Sequence, residues 1–170
     1  MGLGAVLVSG QAFADEELVP QPRTAAQMSG VELHTQQVVD HHFVAFDEGD
    51  LDGVASDYGN NSVLIAPEGV FVGTTEIRGY YAVLLAEFGH SCFSETFDPG
   101  CDSIYSVPIY YLKGNTVYFT WNSTSINCVW PFLTDTIVVT GNKISLHTIA
   151  NSAPSDNGSN SCPFYVRLAL

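Results

Sequence analysis

Positive charge is scarce in this chain: five Lys and Arg stand against eighteen Asp and Glu, for a net charge of -13. A surface of that sign repels phosphate backbones and anionic headgroups, so neither nucleic acid nor a membrane is expected as a partner. Long apolar runs are missing as well. No stretch approaches the ~18 uninterrupted apolar residues of a spanning helix. The motifs of metal and nucleotide chemistry are also lacking. None of the four cysteines forms a C-x-x-C pair of the kind that holds zinc. There is no G-x-S-x-G elbow and no phosphate-cradling glycine loop. Glu48-Gly49-Asp50-Leu51-Asp52-Gly53 looks superficially like a calcium loop, but the closing acid would fall on Gly59. No metal and no cofactor is therefore expected.

What is present is apolar. With 46% hydrophobic residues in 170, the chain can build one domain with a genuine core and is short for two. Residues 1–14 combine an apolar run from Leu3 to Val8 with Ala12-Phe13-Ala14, the small-x-small pattern of a signal-peptide cleavage site, though no Lys or Arg precedes the run. Export is expected, to the periplasm or outside the cell. In such an oxidising compartment the four cysteines would form two disulfides. Pro99-Gly100 can turn the chain back between Cys92 and Cys101, leaving Cys128 to pair with Cys162. Residues 15–30 read as a loose leader, 31–151 as the folded domain, and 152–170 as a polar linker and apolar tail held by the second disulfide.

Within 31–151, helices come first and strands follow. Val39, His42, Phe43 and Phe46 recur at the spacing of one helical face. Asp50 can cap a second short helix, with Leu51, Val54 and Tyr58 on its stripe. Ser62 to Ala66 reads as a strand. A third helix follows Gly73, capped by Thr74 or Thr75, and buries Ile77, Tyr81, Leu84 and Phe88. Strands are expected near 102–112, 116–123, 128–140 and 143–150, separated by the turns Lys113-Gly114-Asn115 and Gly141-Asn142. Helices followed by a meander indicate an α+β domain rather than alternating βαβ units.

The segments GDLDGVASDYGNNSVLIAPEG (49–69), GTTEIRGYYAVLLAEF (73–88) and TDTIVVTGNKISLHTI (134–149) resemble the nuclear transport factor 2-like superfamily, which includes SnoaL-like polyketide cyclases and ketosteroid isomerases. The resemblance covers roughly residues 32–151. It implies a cone in which a curved antiparallel sheet wraps around the N-terminal helices and encloses a pocket. It also sets His42 where the isomerases carry an oxyanion-binding tyrosine, Ala66 at their general-base aspartate, and Asp135 at their second, hydrogen-bond-donating aspartate. Isomerase chemistry by that general base is therefore not expected, and activity must be read from the cavity residues.

His42 and Asp135 are each the polar exception on an apolar face, which makes them the candidate acid–base pair. A core histidine already satisfied by its neighbours is the alternative for His42. For Asp135 the alternative is a bulge at Pro131 that turns its carboxylate to solvent. His41 lies about 100° around the helix from His42, so the two cannot chelate one ion. Tyr58, Tyr81 and Trp121 are candidate pocket lining, and Trp130 and His147 candidate residues of the mouth. Strict alternation from Lys143 places His147 on the side of Ser145, which counts against it. Two functions follow: a module that binds a small apolar or aromatic molecule, or a cofactor-free isomerase, lyase or cyclase acting through His42 and Asp135. An open sheet face would also allow a homodimer.

Overall fold

The computed structural model describes residues 24–93, 100–125, 127–152, 154–156 and 162. The expected signal peptide, most of the leader and the tail after Cys162 lie outside the described residues. Among the described residues, a short 3-10 turn at Ala25–Gln27 is followed in chain order by three helices and eight strands. They are α1 (Gly30–Asp47), α2 (Leu51–Ser56), β1 (Tyr58–Ala66), β2 (Gly69–Val72), α3 (Gly73–Phe88), β3 (Ser91–Phe93), β4 (Ser103–Lys113), β5 (Thr116–Thr124), β6 (Cys128–Thr140), β7 (Lys143–Asn151) and β8 (Ser155–Asp156).

Local chemistry explains the helix starts. Ser29 and Glu32 form a reciprocal capping box on α1. Asp50 caps α2 by accepting from the amides of Asp52 and Gly53. The expected threonine cap of α3 is not used. The cap position falls on Val72 and the helix starts at Gly73, and Glu76 accepts the Val72 amide at 2.8 Å from within the first turn. Gly73 has a φ of 78° and a Cβ there would stand 2.9 Å from the Asn60 carbonyl oxygen, so only glycine fits.

The sheet runs β2-β1-β7-β6-β5-β4-β3, with β8 added beside β6. The meander β4 to β7 is antiparallel as expected, but β1 joins β7 in parallel and β3 joins β4 in parallel. The sheet is therefore mixed rather than wholly antiparallel. The expected strand 62–66 extends back to Tyr58, and β2 returns along it. Curvature comes from irregular pairing. One extra residue is present in β6 at Pro131–Phe132, opposite β5, and another in β7 at Ser145, opposite β6. Each bends its strand and reverses the sense of inward and outward beyond it.

The concave face closes on α1 and α3. Val39 from α1, Ile77, Tyr81, Leu84 and Phe88 from α3, and Val117, Phe119, Leu133, Ile137 and Ile144 from the sheet form one buried cluster, each such side chain contributing about 1.5–3 kcal/mol by leaving water. Glu87 ties the end of α3 to the turn between β5 and β6. The buried Glu87 carboxylate accepts from Ser125 Oγ, Asn127 N and Asn127 Nδ2 at 2.6–2.9 Å. Next to that loop, Cys128 is bridged to Cys162, the pairing expected from the sequence. Cys101 is also disulfide-bonded. Its expected partner Cys92 is in β3, with a side chain outside the described residues.

Candidate functional site

A cavity lies between α1, α3 and the concave sheet, walled by Phe43, Phe46, Leu84, Tyr105, Val107, Phe119, Trp121 and Ile149, with His42, Tyr81, Asp135 and His147 at its polar end. Its volume is about 40 Å³ for water-sized occupants, enough for a few waters.

The polar end is a continuous buried chain of hydrogen bonds. His42 is 3% exposed. Its Nδ1 meets Asp57 Oδ2 at 3.2 Å and its Nε2 meets the Tyr81 hydroxyl at 3.2 Å. Tyr81 and Tyr58 hydroxyls are 2.9 Å apart. Tyr58 donates to His147 Nδ1 at 2.7 Å, and Tyr81 is 3.2 Å from the same nitrogen. His147 Nε2 is 3.1 Å from Asp135 Oδ2, whose other oxygen accepts the Trp121 indole N–H at 3.2 Å. Carboxylates only accept, so His42 donates through Nδ1 and His147 through Nε2, and the opposite ring nitrogens are left to accept from the tyrosines.

The facing pair expected from the sequence is thus replaced by two carboxylate–imidazole pairs. His42 is partnered by Asp57, and Asp135 by His147. No direct hydrogen bond joins His42 to Asp135 among the described residues; Tyr81 and His147 link them. Tyr58 is inward as expected, but as the first residue of β1 rather than on a helical stripe. Tyr81 and Trp121 line the cavity. Trp130 does not. It is buried against Phe88, donates to Ser125 Oγ, and borders a second, smaller cavity with Tyr80 and Leu133.

His147 is 2% exposed and central, against the alternation argument. The extra residue at Ser145 reverses the face, so that Ile144, His147 and Ile149 all point inward. The Pro131 bulge likewise exists but has the opposite effect to the one feared. It brings Trp130, Leu133 and Asp135 all to the inner face. Asp57, 7% exposed, is the residue sequence reasoning missed. The available signal was its i+3 spacing from Val54 on the stripe of α2.

Burial sets the protonation states. It lowers the His42 pKa, only partly opposed by the Asp57 hydrogen bond, so the imidazole is neutral. Burial also pushes the Tyr58 and Tyr81 hydroxyls well above the ordinary phenol value, so both remain protonated donors. The end of the cavity therefore offers a neutral, carboxylate-backed base beside two hydroxyl donors. Among the described residues no three His, Cys, Asp or Glu side chains gather to hold a metal ion.

No family model and no curated protein matches the chain. Solved structures do. One assigned as a polyketide cyclase from Sinorhizobium meliloti superposes with a TM-score of 0.51 at 12% identity, covering 67% of this chain and 94% of its own. A nuclear transport factor 2-like protein from Cytophaga hutchinsonii gives 0.52 at 12%, covering 69% and 89%. A protein assigned as a ketosteroid isomerase from Kribbella flavida gives 0.52 at 12%, covering 73% and 84%. At such identities the likeness is one of architecture, and the chain has the nuclear transport factor 2-like fold of the SnoaL-like cyclases and ketosteroid isomerases.

Proposed function

We propose that the domain takes up a small apolar or aromatic molecule bearing one oxygen function and acts on it by proton transfer, as a cofactor-free isomerase, lyase or cyclase. The observation that carries this reading is the meeting of two carboxylate–imidazole pairs at two tyrosine hydroxyls on one side of an otherwise aromatic cavity. Packing does not require such an arrangement. Burying these groups is costly unless each is satisfied, and apolar side chains would fill the space more cheaply. Perturbed, mutually supporting titratable groups beside a cavity are the usual sign of acid–base chemistry. In this reading the Tyr81 hydroxyl donates to the substrate oxygen. The neutral imidazole of His42, backed by Asp57, takes the proton from carbon or oxygen, with the His147–Asp135 pair beside it.

Binding without turnover is the second reading, favoured by the way the polar groups of the floor are partnered by one another. Native mass spectrometry of the purified protein would identify a co-purified molecule, and that molecule or a panel of aromatic and polyketide-like compounds would then be incubated with it. Turnover lost in His42→Ala, with affinity kept within about tenfold, supports the enzyme. Binding with no product in the wild type supports the carrier. A panel that shifts neither tryptophan fluorescence nor melting temperature removes both.

The chain is also proposed to be exported, a reading supported by the Cys128–Cys162 bridge and by Ala12-Phe13-Ala14. N-terminal sequencing of the mature protein should begin at Asp15.

A further inference from the structure

The buried chain of hydrogen bonds does not end at Asp57. Its second carboxylate oxygen, Oδ1, is 2.7 Å from Nδ1 of His41, whose side chain is 56% exposed. Two neighbouring residues of one helix thus grip the two oxygens of one carboxylate, His41 from solvent and His42 from the interior. Side chains at i and i+1 diverge around a helix and do not normally share a partner. Asp57 reaches both because it leaves the C-terminus of α2 just as the chain turns into β1, and its own carbonyl is fixed by the Ile144 amide.

A count of protons makes the connection functional. Along the route through Tyr58, setting aside the longer 3.2 Å Tyr81–His147 contact, six contacts run from His41 to Asp135: His41–Asp57, Asp57–His42, His42–Tyr81, Tyr81–Tyr58, Tyr58–His147 and His147–Asp135. With one ring proton counted on each imidazole, three imidazoles and two phenols supply five protons to these six contacts, so one contact has none. The vacancy can move, because the Tyr81 proton can point to His42 or to Tyr58. One added proton, placed on His42, gives every contact a donor.

We infer that His41 is the solvent end of a proton relay that runs through Asp57 to His42 and serves the cavity at Tyr81. Its use in turnover rests on the acid–base reading above, whereas the relay itself is a property of the free protein. In the outward direction His42 takes a proton at Nε2 and releases its Nδ1 proton to Asp57 Oδ2. The exposed His41 ring first exchanges its Nδ1 proton for one on Nε2 through water, and the carboxyl group then turns about its Cβ–Cγ bond and presents the new proton to the freed Nδ1 of His41. His41 then loses the Nε2 proton to water. Charge and atoms balance, with the His42 proton moved from Nδ1 to Nε2, and the reverse sequence restores it and loads the site. The groups facing His42 are Asp57 before β1, Tyr58 from β1, Tyr81 from α3, Asp135 from β6 and His147 from β7. Among the described residues only Asp57 of these also touches an exposed titratable group, so the route to water passes through His41. His41 is a relay residue and does not touch the ligand.

The test needs no substrate. Exchange of the His42 ring N–H with water would be measured by NMR saturation transfer on protein labelled with 15N in histidine, across the titration of His41. His41→Gln keeps a donor for Asp57 but cannot pass a proton. The exchange should slow about tenfold or more in His41→Gln and in His41→Ala, and free imidazole should restore it in His41→Ala. Exchange at the wild-type rate in His41→Gln overturns the relay, and so does slowing in His41→Ala that imidazole does not relieve. Loss of the relay leaves the ligand-binding test untouched, and a cavity that binds nothing leaves this measurement intact.

Discussion

Asp47 shows how a single carboxyl can work against the fold. It ends α1, where the helix dipole is already negative, and is partly buried with Oδ1 unpartnered among the described residues, while Oδ2 accepts from Tyr105. Burial raises its pKa to about 6, despite the Tyr105 hydrogen bond. A folded pKa above the unfolded one favours the native state at low pH, and that advantage is lost as pH rises through about 6. Asp47→Asn should therefore stabilise the domain at pH 8, by on the order of 1 kcal/mol after allowance for partial exposure, with no gain near pH 4, as read from urea midpoints at the two pH values. Tyr58→Phe removes the donor to His147 Nδ1 and leaves a buried acceptor with only the longer Tyr81 contact. A loss of about 1–2 kcal/mol is expected with the ring contacts kept. Unchanged stability would mean that Tyr81 replaces it fully.

The elements matter chiefly through their irregularities. A strand that alternates strictly from Lys143 puts His147 outside; the extra residue at Ser145 puts it inside. The same logic at Pro131 makes both Trp130 and Asp135 inward residues although they are five positions apart. A bulge of this kind leaves little trace in an alternating sequence, because Ser145 is as ordinary in a strand as in a bulge. The tie between α3 and the β5–β6 turn is more easily disrupted. Glu87→Ala would leave the Asn127 amide and the Ser125 hydroxyl of a buried turn without their carboxylate. Chemical denaturation should show a cost of about 2–4 kcal/mol. Opening the Cys128–Cys162 bridge, which spans 34 residues, should cost about 3–4 kcal/mol in a Cys162→Ser variant by the loop-entropy relation.

Over the whole molecule, the buried acid–base chain makes stability depend on pH in a direction opposite to that of Asp47. Burial holds the His42 pKa below its ordinary 6.5. The unfolded chain then binds the extra proton first, so the stabilising effect is complete above pH 6.5 and is lost as pH falls toward the folded pKa. Urea midpoints should fall between pH 7.5 and pH 5.5, and His42→Gln, which retains a side chain able to reach Asp57, should flatten that fall. An Asp47→Asn variant, free of the opposing contribution, that is equally stable at both values would contradict a neutral buried His42.

The α+β order, the helix stripes, the meander and the Cys128–Cys162 pairing were legible in the sequence, because periodicity, caps and turns are local properties that act on a few neighbouring residues. That His42, Asp135, Tyr58, Tyr81 and Trp121 face inward was legible for the same reason. What only the tertiary structure decided was who meets whom. Tyr58 and His147 are 89 residues apart, and His42 and Tyr81 are 39 apart. Their contacts depend on where two bulges reset the strands and on a parallel pairing of β1 with β7 that no local pattern encodes. Asp57 belongs to the same class. Its sequence neighbours mark it as the end of a short helix, and only the closure of α1 over that end turns its two oxygens toward two adjacent histidines.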